Sequence, residues 1–194
     1  MIKNNQIPVS IIIPTLGDPK IIKCLNKINE SSHKPSEILV VIPKQNFERA
    51  KNIKSKFLKL NIKIILSNKQ NQVFQRILGF KKSKCKFVMQ LDDDVLLERD
   101  CLIKFFKFLK GRKKSSVAPR YTDRVTLSKI YKKPNNRLLK IYHWLINSKK
   151  GYDPGGIAKS GFNYSEENRL VGSKKHQWLS GGAVMHHKKK FNFI

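Results

Sequence analysis

The chain has 194 residues, with 41 Lys and Arg against 13 Asp and Glu, giving a formal net charge of +28. An apolar share of 40% is too high for a disordered polyelectrolyte, and this length suffices for one core that buries ~70% of the unfolded surface. Ten Gly and eight Pro exclude collagen-like or low-complexity architecture, and three Cys (Cys24, Cys85, Cys101) without close pairing exclude a disulfide framework or a cysteine zinc site.

The first apolar run spans residues 7–16 and follows Lys3, as a leader peptide would. Pro8, Ser10, Pro14 and Thr15 interrupt it and no small-residue cleavage site follows, so it reads as a strand over 9–13. No stretch reaches the ~18 apolar residues of a membrane span, and the expected location is cytoplasmic. Ile21, Leu25 and Ile28 then recur at helical spacing over 20–30, with Asp18 placed to cap and Pro19 in the first turn. A second buried strand covers 37–42 and stops at Pro43. Phe47, Ala50, Ile53 and Phe57 predict one helix. A third strand covers 62–66, and Val73, Ile77 and Phe80 mark the next helix. The fourth strand, 86–91, empties into Asp92-Asp93-Asp94, and Leu102, Phe105, Phe106 and Leu109 form the apolar face of a helix closed by Gly111.

Continuous apolar strands alternating with helices predict an α/β fold with a mostly parallel sheet covered on both faces. Ligands bind such sheets beyond the carboxyl ends of strands, which places the expected site at Pro14-Thr15 and the acidic run. Residues 1–118 are regular. Residues 119–194 form an irregular, basic, turn-rich half of the same domain, with Gly151, Pro154-Gly155-Gly156 and Gly161. Apolar, glycine-rich character returns over 177–185.

A charge of +28 attracts polyanions, and a basic binding module for nucleic acid or anionic membrane is one functional reading. Lys far outnumbers Arg, the basic residues are spread along the chain, and no zinc-finger, RNP-type or basic-zipper pattern occurs, so no specific nucleic-acid contact is expected. The acidic run points elsewhere. Three adjacent carboxylates after an apolar strand repel one another, and a hard divalent cation is the natural compensation. Alternation along extended backbone lets Asp92 and Asp94 share one side while Asp93 points to the other. The alternative is a solvated turn that caps the following helix.

Val9-Ser-Ile-Ile-Ile-Pro-Thr15, Glu37-Ile-Leu-Val-Val-Ile42, Gln75-Arg76 with Gly79, and Phe87-Val-Met-Gln-Leu-Asp-Asp-Asp-Val95 occur in that order. Together they resemble a family 2 glycosyltransferase of the GT-A fold, and Trp178-Leu-Ser-Gly-Gly-Ala183 is similar to that family's acceptor-side segment. The resemblance implies a Rossmann-like sandwich that transfers sugar, with inversion, from a nucleotide-sugar donor to a saccharide or lipid-linked acceptor. Cell-envelope polysaccharide synthesis would be the setting. It also implies donor contacts from Pro14, Thr15, Arg76, Asp92 and Asp93, a Mg²⁺ or Mn²⁺ ion held by Asp92 and Asp94, and an acceptor side formed by Trp178, Gly181 and Gly182. Two departures stand out. The second strand runs into Ile42-Pro43-Lys44-Gln45-Asn46, where the family often places acids that contact the base. No downstream carboxylate follows Gly182 to act as catalytic base, since Glu166-Glu167 precede it. The expectation is therefore a chain truncated at its C-terminus, or one that binds donor without efficient transfer.

His186-His187 are a possible ligand pair or simply a strand end. Residues 137–146 mix Leu, Ile, Tyr and Trp with Arg137 and Lys140, followed by Lys149-Lys150. This segment suits a peripheral helix at the cytoplasmic face of an anionic membrane, or a lid or core helix packed on the sheet.

Overall fold

Two prolines and a run of β-branched residues set the first half of the molecule. A computed structural model describes residues 5–112, 115–121, 136–147, 151–158, 160–161, 163–164 and 175–190. It divides into two units, Met1–Pro119 with Ser180–Ile194, and Arg120–Leu179. The Glu166-Glu167 and Lys149-Lys150 pairs lie outside the described residues.

The first unit is built on a six-stranded sheet of order β3-β2-β1-β4-β6-β5. Strands β1 (Gln6–Pro14), β2 (Lys34–Pro43), β3 (Ile62–Ser67) and β4 (Phe87–Leu91) are mutually parallel. The short β5 (Ser116–Val117) and β6 (Ala183–His187) close the far edge antiparallel. Ile11, Ile12, Ile13, Leu39, Val40 and Val41 are all buried, as strands covered on both faces require. Helices α1 (Lys20–Glu30), α4 (Gln72–Lys82) and α5 (Cys101–Leu109) flank the sheet. At the start of α1, Asp18 Oδ1 accepts from the Lys20 amide at 2.8 Å, the capping role its position predicts. The mostly parallel α/β sandwich read from the sequence is the fold observed.

Two elements differ from expectation. The helix expected through Phe47 and Phe57 is broken into α2 (Phe47–Ala50) and α3 (Ile53–Lys56). At the break Ser55 Oγ donates to the Asn52 carbonyl at 2.9 Å, a local side-chain bond of the kind that competes with helix continuation. In α4 the helix exists but its face is rotated. Val73 and Ile77 are exposed, whereas Gln75, Gly79 and Phe80 are buried.

The second unit contains α6 (Arg137–Asn147), whose first turn is capped by Asn136 Oδ1 accepting from the Leu138 amide at 2.9 Å. The rings of His143, Tyr152 and Tyr164 pack edge to face with centroids 5.1–5.3 Å apart. The described apolar residues of α6 are largely exposed, so the expected core helix is not what they form.

Candidate functional site

Because β1 and β4 are adjacent and parallel, their carboxyl ends open on the same edge of the sheet. The Thr15 amide donates to the Val41 carbonyl at 3.0 Å, extending the β1–β2 ladder one residue past Pro14. The chain then turns through Gly17, whose φ of +84° and 2.6 Å clearance to Arg49 Cβ admit no side chain. The Thr15 hydroxyl accepts from the Gly17 amide at 3.0 Å and donates to Asp93 Oδ2 at 2.5 Å. One short side chain therefore fixes both the β1 loop and the middle aspartate.

Beneath this loop lies Gln75, buried on α4. Its Nε2 donates to the Thr15 carbonyl at 3.0 Å and to the Val41 carbonyl at 2.7 Å, tying the ends of β1 and β2 to the helix. Next on the same face, Arg76 forms an ion pair through Nη2 with Asp92 Oδ1, to which Gln72 Nε2 also donates at 3.2 Å. Arg76 Nε is buried with no hydrogen-bond partner among the described residues. The Asp92 amide donates to the Gly182 carbonyl at 2.8 Å, and a Cβ on Gly181 would lie 3.9 Å from Arg76 Nη1. Asp94 is exposed and makes no hydrogen bond or ion pair among the described residues.

The cleft at this rim holds about 770 Å³ and is lined by residues 14–20, Arg49, Gln70, Gln72, Gln75 and Asp93. Burial, more than any neighbour, pushes the Asp93 carboxyl above its ordinary range. The Thr15 hydroxyl opposes that rise, while Asp94, Asp18 and Asp92 reinforce it. Behind the cluster, burial and then the three aspartates push the Cys24 thiol up to about 12, so it stays protonated and unreactive.

The structure thus brings Pro14, Thr15, Arg76, Asp92, Asp93, Asp94, Gly181 and Gly182 to one rim. Trp178 belongs to the second unit, where its Nε1 donates to the Tyr164 carbonyl at 2.9 Å. His186 and His187 lie elsewhere. Ala183 pairs with Leu91 beside the acidic run, whereas His187 pairs with Phe87 at the opposite end of β4 and meets its ring edge to face with centroids 5.2 Å apart. Gln72, Gln75, Arg49 and Gln70 were not singled out from the sequence as site residues. A signal for two of them was present, because Gln72, Gln75, Arg76 and Gly79 fall on one i, i+3, i+4, i+7 stripe.

As a donor set for a cation, Asp92 retains an unpartnered Oδ2 and Asp94 is open. Two such carboxylates suit a hard divalent ion whose remaining positions go to water and substrate phosphate. Among the described residues no three His, Cys, Asp or Glu side chains converge into a closed metal cage.

The family model for glycosyl transferase family 2 matches residues 10–168. The chain belongs to that family. Among solved structures it is similar to the mannosyltransferase PcManGT from Pyrobaculum calidifontis, recorded with GDP-Man and Mn²⁺, with a TM-score of 0.59 at 14% identity. That match covers 94% of this chain and 45% of the other. It shows the GT-A, Rossmann-like fold for this family 2 chain. The S. aureus protein TarS in complex with UDP-GlcNAc aligns at 21% identity over 56% of this chain and 32% of its own, with a TM-score of 0.48. The chain therefore spans less than half the length of either. Comparison with curated proteins gives no match. Where the family often has acids after the second strand, this member has a 3-10 turn, Lys44–Asn46, from which Asn46 Nδ2 donates to the Leu16 carbonyl at 2.8 Å.

Proposed function

We propose that this family 2 chain acts in metal-dependent glycosyl transfer, moving a sugar with inversion from a nucleotide-sugar donor to a saccharide or lipid-linked acceptor. The observation that carries the reading is an acidic run at the strand ends beside a 770 Å³ cleft, with Asp93 lining the cleft and held by Thr15, and Asp92 held by Arg76. A protein of the same fold recorded with GDP-Man and Mn²⁺ supports the choice of donor class and ion.

In this reading Asp92 and Asp94 hold Mg²⁺ or Mn²⁺. A divalent cation there supplies Lewis-acid stabilisation to the departing nucleoside diphosphate. The chain's own residues do the positioning. Thr15, locked to Asp93, and Pro14 hold the loop against the nucleoside, in a cleft that Arg49 and Gln70 also line. Arg76, with Nη2 committed to Asp92, offers Nη1 to a phosphate oxygen. Gly181 and Gly182 allow sugar to approach backbone.

Thermal unfolding with Mn²⁺ plus UDP or GDP tests the reading. The expected result is a rise in Tm of roughly 5–10 °C near saturation, lost in Asp94→Ala. A rise that Asp94→Ala retains overturns it. So does one that needs no cation, appears equally with inorganic polyphosphate and vanishes in high salt, since that is the behaviour of a basic binding module.

A further inference from the structure

Helix α6 turns polar residues inward and apolar residues outward. His143 and Asn147, one turn apart, are buried, His143 among tyrosine rings and Asn147 with Nδ2 donating to the Gly151 carbonyl at 2.8 Å. In contrast Leu138, Leu139, Ile141, Tyr142, Trp144 and Leu145 are 46–73% exposed. Isolated exposed leucines are ordinary. Six large apolar side chains on one eleven-residue helix form a patch that monomeric soluble proteins rarely leave open. Leu138, Ile141, Tyr142 and Leu145 follow i, i+3, i+4, i+7 spacing, which makes them a single stripe.

The residues around the stripe say what covers it. Arg137 lies at its margin, Lys149-Lys150 follow in the sequence, and the whole chain carries +28. Trp and Tyr, apolar rings with a polar tip, are the side chains that favour headgroup depth. A second copy of this chain brings the same positive charge and is repelled, whereas an anionic lipid surface is attracted. We propose that α6 is an interfacial anchor that lies in the plane of an anionic bilayer. Leu138, Ile141, Tyr142 and Leu145 enter the acyl boundary, and Arg137 at the edge of the stripe meets lipid phosphates. Among the described residues no helix is long and apolar enough to cross a membrane, in keeping with in-plane contact. The inference does not depend on the acidic cluster and goes beyond the sugar-transfer reading.

The test uses the whole chain, sedimented with vesicles of phosphatidylcholine alone or mixed with phosphatidylglycerol. Binding to the mixed vesicles is expected to be at least about tenfold tighter. Trp144 emission is expected to shift to the blue on binding, a shift that Trp144→Phe removes. The pair Leu138→Ser and Leu145→Ser, both on the exposed stripe, is expected to weaken partition about tenfold or more at unchanged Tm. Quenching of Trp144 by lipids brominated on the acyl chain gives a readout on the unaltered fold. The proposal is overturned if the double serine variant binds like the parent, or if Trp144 is neither shifted nor quenched. It is also overturned if the vesicle-free chain is a dimer that the serine variant dissolves, which would make the patch an interface between copies.

Discussion

At Glu37 one carboxylate joins three segments. Its side chain is 3% exposed, takes Ser10 Oγ from β1 and Lys63 Nζ from β3, each at 2.7 Å, and takes the Lys84 amide ahead of β4 at 2.6 Å. Burial alone would raise its pKa, but the hydrogen bonds from Lys63, Ser10 and Lys84 together hold it below the ordinary glutamate range. A carboxyl lowered in the folded state stabilises the fold above its unfolded pKa, and that contribution is lost as pH falls through the folded value. Glu37→Gln is therefore expected to cost about 2 kcal/mol at pH 7 in urea unfolding, with the gap to the parent closing as pH drops through and below about 4. Gln75 makes the second residue-scale case. Gln75→Met keeps the volume but strips both donors from the Thr15 and Val41 carbonyls, and is expected to cost about 2 kcal/mol. Because Thr15 carries Asp93, the same change should weaken nucleotide binding by more than any loss of fold explains, which calorimetry on the folded variant measures.

The helix α4 shows how much was legible before the structure. Its existence follows from periodicity, whereas its cap was not read from the sequence: Asn71 Oδ1 accepts from the Phe74 amide at 2.9 Å. The face was misread because apolar spacing selects Val73 and Ile77, which are exposed. The true inward stripe is polar and small, since its task is to satisfy strand-end carbonyls with Gln75 and to let the helix approach the sheet at Gly79. A Cβ on Gly79 would meet Ile12 Cγ2 at 2.5 Å and Val41 Cγ2 at 3.0 Å. Gly79→Ala is thus expected to destabilise by about 1–3 kcal/mol, and Ile12→Val to recover part of that loss in a double-mutant cycle. The acidic run was legible for the opposite reason. Three carboxylates following a buried strand have few purely structural uses, so their position spoke where composition did not. The partners that orient them, Thr15, Gln72 and Arg76, come from distant sequence, and no local pattern pairs Thr15 with Asp93.

For the whole molecule the net charge of +28 is a standing repulsion that the fold tolerates. Raising NaCl to about 0.3 M shortens the screening length to roughly 6 Å and is expected to raise Tm, a direction opposite to that of a protein held by surface ion pairs. Scanning calorimetry across a salt series checks it. The edge of the sheet has a different consequence. Ser116 pairs with His186 and Val117 with Met185, so β5 and β6 are two legs of a hairpin whose connection is the entire Arg120–Leu179 unit. The chain leaves and re-enters at a single doorway, and strand register is indifferent to what is hung between the legs. That makes the second unit an exchangeable cassette. A tight turn in its place is expected to leave the Gly182 carbonyl on the Asp92 amide, so a chain with the second unit excised keeps the rim of the sheet intact.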